Sequence, residues 1–253
     1  MKALHKLYKS NELLFTIIWI VAYVALMSIG DNLSSLIGIE KVITIIIALV
    51  LSITLFLFMK CNNLLDYYGL HKSSIPSKKL LFYIPCLIML AINVIFGLTL
   101  KYTILESMLY IVTMLCVGFL EEVIFRGLLF NYMRKTNLTS AIIISSITFG
   151  IGHIVNLING SGADLIPNLL QVLYATSAGF MFVMLYYKTD SLIICIISHG
   201  LFNALSTFSI APSSLEMTII SSVALIIITG AYALFLLFTN RKKRRFIKKD
   251  CFI

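Results

Sequence analysis

The feature that most constrains this chain is a series of uninterrupted apolar runs. A helix that crosses a bilayer needs about 20 apolar residues, with a range of about 17–25. Eight segments meet that requirement: Leu13–Ile29, Val42–Met59, Leu80–Leu98, Thr103–Leu129, Leu138–Leu157, Leu165–Tyr187, Ser191–Phe208 and Met217–Phe238. A membrane β-barrel would instead show segments of about 10 residues alternating apolar with polar. A water-soluble globule is excluded by composition, because 60% of the residues are hydrophobic and 12% are charged, against roughly 25% charged in a soluble domain. The sequence predicts an all-α polytopic membrane protein, a bundle of about eight transmembrane helices. Residues 1–253 read as a single integral membrane domain, with no internal repeat. Asp31 and Asn32 follow the first run without a small-residue cleavage pattern, so no cleavable leader is expected.

The net charge of +9 does not point to nucleic acid, because the basic residues sit in short loops and tails. That pattern fits loops facing anionic lipid, and the expected partner is the bilayer. With the N-terminus in the cytoplasm, Lys2, Lys6 and Lys9 lie inside, as do the lysines of the Lys60–Lys79 loop. Arg134, Lys135, Lys188 and the basic run from Arg241 to Lys249 fall on the same side, and only Lys41 and Lys101 fall outside. Both termini are therefore expected in the cytoplasm. Cys86, Cys116 and Cys195 lie in apolar runs, and Cys61 and Cys251 flank basic stretches on the reducing side, so no disulfide is expected. Cys251 is third from the end, not fourth, which rules out a prenylation box.

Ionisable groups inside spans are costly and mark function. The fourth span carries Glu106, Glu121, Glu122 and Arg126. Arg126 follows Glu122 by one helical turn, which predicts an intrahelical ion pair. That pair leaves Glu121 unexplained, since adjacent helix positions point about 100° apart. His153 and His199 fall in the fifth and seventh spans, while His5 and His71 fall in cytoplasmic segments. Asn203 follows His199 by one turn on the same face. Gly150 and Gly152, with Ser145, Ser146 and Thr148, give the fifth span a small-residue face that lets a neighbour approach.

Three motifs thus stand in order: Glu121-Glu122-x-x-x-Arg126, Phe149-x-x-x-His153 and His199-x-x-x-Asn203. Together they resemble the CAAX-protease and bacteriocin-processing family of intramembrane proteases, also called Abi or type II CAAX prenyl endopeptidases. The motif-bearing core covers about 103–208. The resemblance implies an intramembrane endopeptidase acting on a peptide or membrane-protein substrate. It implies that Glu121 activates the attacking water and that His153 helps hold it. It implies that His199 and Asn203 donate to the oxyanion, with Glu122 and Arg126 in supporting roles. The chemistry of the residues agrees, because amide hydrolysis needs a base and neutral donors for the developing charge.

Alternatives remain at this level. One carboxylate with two His can hold Zn and leave a position for water; the ligands would be Glu121, His153 and His199. A non-catalytic immunity or regulatory binding protein could use the same scaffold. A proton-coupled carrier would favour interrupted helices in two related halves, and no such symmetry is visible. The Ile- and Lys-rich composition suggests a bacterial cell-membrane protein. At about 1.5 Å per residue, the site residues also fall at unequal depths unless helices are tilted or offset. The topology is open to test. A reporter active only outside the cell should be silent when fused at either terminus and active within Asn159–Ala163. Activity at Ile253 would overturn the eight-span scheme.

Overall fold

The computed structural model describes residues 2–73, 75–76, 80–159 and 164–239. Most of the described residues are helical, with one isolated antiparallel bridge between Leu98 and Ser209. In chain order the helices are α1 (Lys2–Ser10), α2 (Glu12–Ile37), α3 (Val42–Cys61) and α4 (Leu80–Ile92). There follow α5 (Ile104–Met133), α6 (Leu138–Gly152), α7 (Leu165–Thr189), α8 (Ile193–Phe208) and α9 (Leu215–Phe238). Six helical stretches are long and apolar enough to cross a membrane: α2, α3, α5, α7, α9 and Leu138–Leu157, which contains α6. The other two expected spans are shorter apolar helices, α4 and α8. Val21, Val50, Leu87, Leu105, Leu173 and Leu234 each leave more than half of their surface exposed, as suits helices solvated by lipid.

Several boundaries differ from expectation for identifiable reasons. The fourth helix stops at Ile92, not Leu98. Beyond it Gly97 turns at φ 93°, and the backbone bonds to the end of α8 instead, through Thr99 N–H to Phe208 O at 2.8 Å and Ile210 N–H to Gly97 O at 3.0 Å. The N-terminal basic tail is a helix. Its Lys2, Lys6 and Lys9 are exposed, while Tyr8 is buried edge-on against Phe15 and Phe58, with ring centroids 5.4 Å away in each case. The Tyr8 hydroxyl pairs with that of Tyr68 at 2.8 Å. Glu106 belongs to the start of its helix, not to the site: with Thr103 it forms a reciprocal capping box, which satisfies free N–H groups of the first turn. Most of the expected outer loop Asn159–Ala163, the basic run Arg241–Lys249 and Cys251 lie outside the described residues.

Close approach of helices sets the relative depths. A Cβ built on Gly118 of α5 would lie 2.6 Å from both Cα and N of Gly200 on α8. The two backbones touch because neither residue has a side chain. Glu121 and Glu122 follow Gly118 by one turn, and His199 precedes Gly200, so this contact brings them to one level. On the other flank, α6 lies against α7 at Gly150, where a Cβ would come within 2.8 Å of the Thr176 backbone. Depth is thus set by helix contacts and by the short α8, not by equal span lengths. Overpacking a close contact costs about 1–3 kcal/mol. Gly118→Ala should therefore lower the melting temperature in detergent, while Gly152→Ala, whose Cβ would meet nothing within 4 Å, should not. Equal melting of the two variants would refute the contact.

Candidate active site

The site begins where α5 changes its winding. After Glu121 the helix widens into a π-helix over Glu122–Phe130, every residue of which is buried. Wide helical turns are rare and cluster at functional sites. Here neighbouring polar side chains take up carbonyls of the wide turns. Asn131 Nδ2 donates to Gly127 O at 2.8 Å and Arg126 O at 3.3 Å, and Ser145 Oγ donates to Phe125 O at 2.8 Å. Buried backbone groups must be paired, and these contacts do so while leaving both glutamates and Arg126 turned inward.

The charged cluster is compact. Arg126 Nη1 donates to Glu122 Oε1 at 3.0 Å, and both side chains are fully buried. The same oxygen lies 2.8 Å from His199 Nδ1. The other ring nitrogen, Nε2, is 3.3 Å from Glu121 Oε2, a distance for an ion pair without hydrogen-bond alignment. Glu121 Oε1 accepts from the Tyr23 hydroxyl at 2.6 Å. One imidazole therefore bridges the adjacent glutamates, each through a different nitrogen. The two carboxylates also differ in access: Glu121 is 8% exposed and Glu122 0%.

Aromatic rings wall the cluster. Phe182 stacks on His199 with centroids 5.3 Å apart. Phe149 meets both His153 and His199 edge-on at 5.5 Å. Its face carries the Arg126 guanidinium, 4.1 Å from the ring centroid, a cation–π contact that gains strength away from water. The phenylalanine of the second motif thus separates the two histidines and covers the arginine of the first. α6 ends at Gly152, and His153 opens a tight 3₁₀ turn over His153–Leu157. Asn168 Nδ2 holds the His153 carbonyl at 2.9 Å. His153, His199 and Asn203 line one cavity of about 80 Å³, whose apolar wall includes Phe149, Phe182 and Phe202. Among the described residues the Asn203 side chain has no hydrogen-bond partner, so its amide is available to that space.

The structure accordingly joins Glu121, Glu122, Arg126 and His199 by direct contact, and joins His199 to His153 and Asn203 through the cavity. Sequence reasoning missed Tyr23, which comes from α2. The available signal was a hydroxyl within a span, since a buried Tyr hydroxyl usually needs a partner. Among the described residues, no three His, Cys, Asp or Glu side chains are grouped so as to hold one metal ion. Glu121 and His199 approach each other at 3.3 Å, but His153 is not grouped with them closely enough to complete a three-ligand Zn set.

Residues 103–205 match the family model of the type II CAAX prenyl endopeptidase Rce1-like proteins. This stretch is similar to the Rce1-like family. All three motifs lie within it. A curated relative from Bacillus subtilis (strain 168), named "Putative membrane peptidase YdiL", is 33% identical over 97 residues. That alignment covers 38% of this chain and 34% of the relative, so the chain spans about a third of the length of the protein it matches. No solved structure matches. Tyr23, at the Glu121 carboxylate, lies outside the matched Rce1-like stretch.

Removing one member of a buried ion pair costs roughly 3–5 kcal/mol, because the other charge is left uncompensated. Arg126→Met should reduce accumulation and detergent stability by about that amount, with partial recovery in Arg126→Met/Glu122→Gln. A double variant no more stable than the single one would show that the pair is not the source of the loss.

Proposed function

We propose that the protein is an intramembrane endopeptidase that hydrolyses a bond in a peptide or membrane-protein substrate. The observation that carries the reading is the bridge from the Glu121 carboxylate to His199, with His199 opening on the same cavity as His153 and Asn203. The Rce1-like match supports the reaction class. The partial coverage of the relative leaves the substrate open, and peptides such as bacteriocin precursors suit the family resemblance. In this reading α4 and α8 also cross the bilayer, giving eight spans with both termini in the cytoplasm of a bacterial cell.

Charge counting favours Glu121 as the base. Two carboxylates face one guanidinium, and a net negative charge is expensive in a low-dielectric interior. A proton on His199 balances the cluster, with Nδ1–H directed at Glu122 and Nε2–H towards Glu121. Glu122 is sealed and committed to Arg126 and His199, whereas Glu121 keeps some access. Water held beside His153 attacks the scissile carbonyl carbon and passes a proton to Glu121. The carbonyl π electrons move onto oxygen, where His199 Nε2–H and the Asn203 amide donate hydrogen bonds. Glu121 then delivers its proton to the leaving amine as the C–N bond breaks. The Tyr23 hydroxyl, donating to Glu121 Oε1 at 2.6 Å, holds that carboxylate in place.

Removing a general base typically costs about 10²–10⁴-fold in rate. Glu121→Gln should reduce peptide cleavage by at least that much while the protein accumulates normally, and His153→Ala should do likewise; His199→Ala should also lose cleavage, together with some detergent stability because buried Glu122 loses a partner. Asn203→Ala removes one oxyanion donor, worth about 2.7–4 kcal/mol. Cleavage by the wild type should survive exhaustive chelation; loss of activity restored by Zn would replace the glutamate–water mechanism with a metal one. Full cleavage by Glu121→Gln would sink the catalytic assignment and leave a binding role for the scaffold.

A further inference from the structure

The cavity has a second polar group that the proposed chemistry does not use. Gln171 on α7 is half-buried and lines the same space as His153, His199 and Asn203. Its Oε1 accepts from Asn156 Nδ2 at 3.1 Å and lies 3.4 Å from Asn168 Nδ2. The orientation of this amide follows from its neighbours. Asn168 faces the His153 carbonyl at 2.9 Å. A carbonyl can only accept, so the Asn168 atom there is its nitrogen. The Gln171 atom beside that nitrogen is then its oxygen. The Gln171 NH₂ is left turned away from both asparagines, and among the described residues it has no hydrogen-bond partner. Asn168 is 1% exposed, so the element that sets this orientation is itself held in the core.

An oriented amide donor on an apolar-walled cavity suits a neutral acceptor. We propose that Gln171 is a substrate-positioning residue that donates a hydrogen bond to a main-chain carbonyl of a substrate peptide that enters the cavity. This inference rests on the peptidase reading of the site and deepens it. Gln171 precedes Phe182, the ring stacked on His199, by eleven residues on α7, about 16 Å along the helix axis. Its contribution is to binding and register, not to the chemical step.

The test uses the full-length chain in lipid nanodiscs with the Glu121→Gln substitution, so that bound peptide is not consumed. The probe is a fluorescein-labelled nonapeptide of alternating Ala and Leu, followed by polarisation. Adding Gln171→Leu should raise Kd about tenfold, as expected for one neutral hydrogen bond. Gln171→Glu, assayed with its carboxyl ionised, keeps an oxygen for both asparagines and lacks the donor; it should fold normally and also bind about tenfold more weakly. Replacing probe carbonyls one at a time by methylene should identify one position that weakens binding to the parent about tenfold and has no further effect in Gln171→Leu. Failure of the parent to bind, equal Kd values for parent and both variants, or no carbonyl coupled to Gln171 would overturn the proposal. Coupled binding together with no cleavage by the wild type would remove the peptidase reading alone.

Discussion

The arrangement depends on one oxygen atom. Glu122 Oε1 receives both Arg126 and His199 in a place where neither carboxylate nor guanidinium has any exposed surface. An isolated charge there would carry a desolvation cost of several kcal/mol. The shared oxygen links the first motif to the third, so that α5 cannot shift against α8 without breaking this buried contact. Among the described residues Arg126 Nε and Nη2 and Glu122 Oε2 have no hydrogen-bond partner. The pair is thus compensated mainly by each other, by His199 and by the Phe149 face. Such a cluster is a poor way to gain stability. It is a good way to hold one imidazole at a fixed angle to a second carboxylate.

Everything around the cluster serves to bring backbones close or to exclude solvent. The Gly118–Gly200 contact lets α5 and α8 touch. The π-helical stretch turns a run of buried residues inward, and Asn131 and Ser145 accept the task of pairing its carbonyls. Phe149 and Phe182 cover the imidazole on two sides. In a membrane there is little hydrophobic drive between helices, so small residues and polar contacts carry the packing. The positions that set the geometry of the site are therefore glycines and buried polar groups in preference to large apolar ones.

The site also reaches beyond the stretch that carries the motifs. Tyr23 of α2 holds the Glu121 carboxylate, and α7 supplies Phe182, Asn168 and Gln171. The Rce1-like stretch includes α7 and most of α8, but α2 lies outside it. An N-terminal helix without a motif thus helps to orient the residue assigned as base.

The sequence by itself determined the fold class and the ionisable groups of the candidate site. Apolar runs of bilayer length leave a chain no alternative to buried or lipid-facing helices, because every backbone group must be paired within them. The cost of burying charge made Glu121, Glu122, Arg126, His153 and His199 stand out, and the four-residue spacing fixed the Glu122–Arg126 pair, since neighbours one turn apart meet on any helix. Tertiary structure decided what local spacing cannot encode. The unequal depths of the motifs became one level through the short α8 and the glycine contact. Glu121 and Glu122, pointing apart on their helix, met through the two nitrogens of one histidine on another. The end of α4 at Ile92, the folding of the basic tail into α1 and the approach of Tyr23 likewise rest on partners far away in the chain. Local propensity and periodicity act over a few residues, whereas these features arise from contacts 60 to 113 residues apart.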